Sequence, residues 1–118
     1  MLPDLPFIYA ALVISRVISV VDDHHICIDL GHKSVAAENP LPRVHFLNAP
    51  EAEPVAQSEE HLVLEVADIN AYPIGCVLYG VPVHICPTVA LYDKAYVVRN
   101  HEAGETWNVV ARNRCINV

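Results

Sequence analysis

The sequence predicts a mainly β fold: a single barrel-like domain of about eight short antiparallel strands with one short helix, spanning residues 1–118. Three observations carry that prediction. Val, Ile and other apolar residues come in short runs, bounded by Gly, Pro, Asn and Asp. No strand–helix alternation is long enough for a parallel α/β unit, and there is no heptad or internal repeat. A chain of 118 residues with 53% hydrophobic and 18% charged residues can bury one modest core and is not disordered.

The elements follow in order. The apolar run Leu5 to Ile14 is too short to cross a bilayer, which takes ~20 residues. Asp4, Pro3 and Pro6 also rule against a signal peptide. It is expected to be a core strand. Ala11 to Val21 and His24 to Leu30 form a hairpin around Asp22-Asp23. Gly31 ends it, and Ser34 caps a short helix, Val35 to Glu38, which Pro40 terminates. Four prolines make 39–57 a loop with one strand at Val44 to Leu47. Leu62 to Val66 and Ile74 to Val83 are strands, the second bent or bulged at Gly75 and Gly80. Val89 to Asn100 and Thr106 to Arg112 make a second hairpin around Glu102-Ala103-Gly104, with Trp107 in the core. Arg114 to Val118 is a last edge strand.

A net charge of −7 with scattered basic residues excludes a nucleic-acid or anionic-membrane surface. The four cysteines show no C-x-x-C spacing, so no zinc ribbon or thioredoxin-type site is indicated. Reduced thiols and a cytoplasmic location are expected.

The stretch His84-Ile85-Cys86-Pro87-Thr88 holds two metal-type ligands two residues apart. On a strand, such residues project from one face. Pro87 would end that strand just beyond the thiol. An imidazole and a thiolate suit a borderline-soft ion, so zinc fits better than magnesium, calcium or manganese. Two protein ligands leave positions open for water or substrate, as catalytic sites require. A histidine beside a core thiol and a Cys-His nucleophilic dyad are the competing readings. The dyad is the poorer one, because parallel side chains and the lack of a glycine turn offer no oxyanion hole.

Two further segments bear chemical groups. In Ser58-Glu59-Glu60-His61, His61 is a candidate active-site lining residue, or the segment is simply a polar strand entry. Asp29-Leu30-Gly31-His32-Lys33 reads as a glycine turn with surface polar groups. Lys33 lacks the desolvated setting that a Schiff-base lysine needs.

Taken together and in order, these three segments resemble the C-terminal β-domain of the D-threonine aldolase and D-serine dehydratase family, whose members are pyridoxal-phosphate enzymes of the alanine-racemase fold type. The resemblance runs from Val13-Ile14-Ser15-Arg16 to Trp107-Asn108-Val109-Val110. It implies that His84 and Cys86 hold a divalent metal beside the cofactor. The cysteine version is similar to the zinc-using dehydratase type; the aldolase type commonly has aspartate and uses manganese or a similar ion. Leu62 stands where many members have glycine. The resemblance further implies that pyridoxal phosphate and its lysine belong to an N-terminal α/β-barrel lying outside these 118 residues. The substrate would be a small D-hydroxy amino acid, and the metal would assist β-elimination or retro-aldol cleavage. The chain by itself would then be an inactive fragment or split-gene product. A homodimer or other self-association is expected through the apolar run 5–14. The alternative is a non-catalytic β-barrel assembly module.

Overall fold

A computed structural model describes residues 6–116. Its eight strands are β1 Val13–Val20, β2 His25–Ile28, β3 Val44–Phe46, β4 Glu53–Gln57, β5 Leu62–Glu65, β6 Val77–Pro82, β7 Lys94–Arg99 and β8 Glu102–Asn108. One helix, α1, spans Ile85–Val89, and 3₁₀ turns occupy Ile69–Ala71 and Val110–Arg112. Six strands form an antiparallel sheet in the order β3-β6-β1-β2-β5-β4, curled into a half-barrel. Among the described residues β7 and β8 pair only with each other. The mainly β fold with one short helix is therefore as expected. No helix among the described residues is long and apolar enough to cross a membrane.

The core lies inside the curl. Alternate residues of β1 (Val13, Ser15, Val17) point inward, as the two-residue period of a strand requires. Ile26, Ile28, Leu30, Leu62, Leu64 and Leu78 are fully buried. Burying side chains of this size contributes about 1.5–3 kcal/mol each. Leu62 pairs with Ile28 and fills this core. Gly80 is regular ladder, paired with Val13 on one side and Phe46 on the other, and not a bulge. A Cβ there would meet Val44 Cγ2 at 2.6 Å, so closeness of the β3 side chains, not backbone bending, calls for glycine.

Several expectations are corrected. Within Leu5 to Ile14, Leu5 lies outside the described residues and 6–12 form no strand; β1 begins at Val13, where its ladder to β6 starts. Phe7 and Ile8 are 80% and 92% exposed, so this run is not core. The segment 39–57 contains a second strand, β4. Pro54 fits there because β4 is an edge strand with a register shift between Pro54 and Ala56. The second hairpin turns at Asn100-His101, both at positive φ (51° and 66°), not at Glu102-Ala103-Gly104. Two left-handed residues between paired Arg99 and Glu102 match the right-handed twist of the strands. Trp107 is 59% exposed, because no second layer covers β8 among the described residues. Residues 114–116 form no strand, and Asn117 and Val118 lie outside the described range.

Candidate metal centre

β6 runs between β1 and β3, and the Val83 N–H to Arg43 C=O bond (2.9 Å) extends that pairing one residue past the strand. The chain then leaves the sheet. His84 is its last extended residue (φ −124°, ψ 98°), and Cys86 lies in the first turn of α1. The expected placement of both ligands on one strand face is therefore wrong. Pro87 sits within the first turn of α1, where no helical acceptor for an N–H exists, so proline is tolerated. The Thr88 hydroxyl donates to the His84 carbonyl at 2.8 Å and closes that turn from within.

The helix expected at Val35 to Glu38 is absent. One turn forms, with the Ser34 and Val35 N–H groups bonded to the Gly31 carbonyl, and then the chain opens. The Ala36 N–H, which the first turn of a helix would leave without a backbone acceptor, donates to Thr88 Oγ1 at 3.0 Å. So short a segment cannot offset the cost of helix nucleation, and the tertiary acceptor prevails. Tyr92 adds a second tie, its hydroxyl donating to the Ser34 carbonyl at 2.7 Å. Burial pushes the Tyr92 phenol upward, opposed by that same hydrogen bond.

The loop so held carries Glu38 to His84, and His84 Nδ1 hydrogen-bonds Glu38 Oε1. Both side chains are close to half exposed. The backbone N–H of Glu38, followed by the His84 ring, holds the Glu38 carboxyl below its ordinary value. Cys86 is exposed, not a core thiol, and all four cysteines are free. Among the described residues, no group of three or more His, Cys, Asp and Glu side chains could hold a metal ion. An imidazole and a thiol are metal-type donors, but two alone would leave most of an ion's coordination to other groups.

The other two segments do meet. The N–H groups of His32 and Lys33 donate to the carbonyls of Ser58 and Glu59, each at 3.0 Å. Gly31 permits this approach: a Cβ there would lie 2.3 Å from Glu59 O. Lys33 Nζ then pairs with Glu60 at 2.8 Å and with Glu59 at 3.5 Å. The hydrogen bond that Lys33 donates to Glu60 comes first in raising the Lys33 pKa, the opposite of what a Schiff-base lysine needs. This chain thus offers pyridoxal phosphate no lysine in that segment. His61 is exposed at the end of the 58–61 turn, and among the described residues no hydrogen bond or ion pair joins its side chain to His84 or Cys86.

Arg43 was invisible in the sequence as a functional candidate. Its guanidinium donates to His32 Nε2 at 3.3 Å, Gln57 Oε1 at 3.2 Å and the Asn39 carbonyl at 2.5 Å. It links the His32 turn to the loop bearing Glu38. Glu38 itself read only as the end of a helix; nothing local in the sequence signals a partner 46 positions away.

Comparison with known proteins agrees with this architecture. Residues 10–98 match the family described as "Putative serine dehydratase domain". An uncharacterized protein of Mycobacterium tuberculosis is 30% identical over 115 residues, covering 94% of this chain and 86% of that protein. A D-threonine aldolase from Arthrobacter sp. is 32% identical over 109 residues, covering 92% of this chain but only 28% of the enzyme. The crystal structure of D-threonine aldolase from Filomicrobium marinum superposes with a TM-score of 0.81 at 27% identity, over 93% of this chain and 30% of that one. An alanine-racemase-like protein from Idiomarina loihiensis, 19% identical with a TM-score of 0.67, shares the fold over 82% of this chain and 30% of its own. The chain therefore belongs to the serine dehydratase domain family, the C-terminal β-domain of D-threonine aldolase and D-serine dehydratase-like enzymes.

Proposed function

We propose that this chain is the metal-bearing β-domain of a pyridoxal-phosphate enzyme acting on a small D-hydroxy amino acid, and that it works with an α/β-barrel that carries the cofactor. The observation that carries this reading is the pair itself: an exposed thiol two residues from a histidine whose Nδ1 is already engaged, leaving Nε2 available. A bound zinc ion would supply Lewis-acid polarisation of the substrate's β-hydroxyl or a hold on its carboxylate. His84 would bind the ion through Nε2. Cys86 would bind it as thiolate, losing its proton on coordination. Two protein ligands would leave coordination positions free for a substrate oxygen. No step is assigned to Lys33, whose ammonium is engaged by two glutamates.

The exposed apolar side chains of the β7–β8 hairpin, among them Tyr96, Val98 and Trp107, support the need for a covering partner. The same exposed surface favours the second reading, a non-catalytic assembly module that docks without metal.

Metal analysis of the purified protein separates the two. Wild type is expected to bind added zinc measurably but weakly, with His84→Ala and Cys86→Ser each losing that binding. Undiminished zinc in Cys86→Ser would refute the assignment. Wild type is also expected not to turn over D-serine or D-threonine with added pyridoxal phosphate and zinc.

A further inference from the structure

Glu38 lies far from His84 in sequence, yet its neighbours on both sides are fixed. On one side the Ser34 carbonyl is held by Tyr92, and the Ala36 amide by Thr88. On the other, the Asn39 carbonyl is held by the Arg43 guanidinium. The carboxylate is thus delivered by a loop anchored at three points. The receiving residue is fixed as well, because Thr88 binds the His84 carbonyl with the same hydroxyl that takes the Ala36 amide. One side chain therefore sets the spacing between the two partners.

A carboxylate oxygen can only accept, so the His84 Nδ1 that faces it must carry a hydrogen. A neutral ring protonated at Nδ1 has its lone pair on Nε2 alone. In water the opposite tautomer of histidine is the commoner one, so this arrangement has to be imposed. We propose that Glu38 is a positioning residue that holds His84 in the Nδ1–H tautomer and directs Nε2 outward as the sole donor atom of the ring. The role in metal binding rests on the reading of His84 as a ligand, whereas the tautomer does not. Carboxylates that orient ligand histidines in this way raise metal affinity about 10- to 100-fold.

The experiment has two arms on the full chain. Long-range proton–nitrogen NMR, at a pH where the ring is neutral, reports the tautomer of each histidine, with His84 assigned by His84→Ala. Wild type is expected to show Nδ1–H at His84. Glu38→Gln, which keeps an acceptor oxygen, should largely preserve it, and Glu38→Ala should shift the ring toward Nε2–H. An Nε2–H ring in wild type, or an unchanged Nδ1–H ring in Glu38→Ala, overturns the proposal. In the second arm, zinc titration should give weaker binding in Glu38→Ala by about 10- to 100-fold, with partial recovery in Glu38→Gln. Equal zinc affinity in wild type and Glu38→Ala overturns the positioning role. Absence of zinc binding in wild type refutes the metal reading instead and leaves the tautomer to be decided by NMR. Because Glu38 is nearly half exposed, its loss is not expected to unfold the chain, and amide dispersion in the same spectra verifies this.

Discussion

Thr88 and Ala36, 52 positions apart, are joined by a buried hydrogen bond of 3.0 Å in which the Ala36 amide donates to the Thr88 hydroxyl. The same hydroxyl donates to the His84 carbonyl, and the Thr88 residue is 2% exposed. This one group ties the loop bearing Glu38 to the start of α1.

Thr88→Val keeps the shape and removes both bonds. It leaves the Ala36 N–H buried without an acceptor, so a loss of about 1–3 kcal/mol is expected in urea unfolding. Thr88→Ser keeps the hydroxyl and should recover most of it. An unchanged midpoint for Thr88→Val would show that the hydroxyl does not hold the loop.

Gly31→Ala should be costly for a steric reason. The new Cβ would fall 2.3 Å from the Glu59 carbonyl oxygen, and the three nearest atoms are all backbone that cannot swing aside. Forcing these two loop segments apart should lower stability by roughly 1–3 kcal/mol and break the Lys33–Glu60 pair. Gly104→Ala is the control, because a Cβ there meets nothing within 4 Å. Its effect should be within about 1 kcal/mol of zero. Comparable losses in the two variants would refute the close-approach explanation.

Tyr72 predicts a dependence on alkaline pH. Burial, followed by its hydrogen bond to Glu51, pushes the phenol from 10.0 up to about 12. The folded state therefore favours the neutral phenol. Its contribution is fully present below the unfolded value near 10.0 and is lost as pH rises through about 12. Unfolding free energy measured by denaturant at successive pH values should fall across that window. Tyr72→Phe should show a shallower fall; identical slopes would remove Tyr72 as the cause.

The strands of the large sheet were legible because their apolar runs are local facts. Ile26, Ile28, Leu62 and Leu64 announce buried positions by alternation alone. β4 was hidden because Pro54 argues against a strand unless the strand is known to be at an edge. The helix was misplaced for a related reason. Ser34 and Pro40 mark plausible helix ends, yet the deciding interaction is the remote Thr88 hydroxyl. His84 and Cys86 were visible as residue types, but their geometry depends on the strand ending at Pro82, which their spacing does not encode. Trp107 read as core because its alternation with Val109 and Ala111 is real, although no layer of the described residues lies above it.

Among the described residues the β7–β8 hairpin has two strands and no third neighbour, and isolated pairs of this kind are only marginally stable in water. It should behave as its own unit in deuterium uptake, opening far more often than the ladder around Ile26 and Leu64. The scaffold that presents His84 can therefore stay shut while this ribbon frays and re-forms, a latch free to mould itself to whatever it clasps.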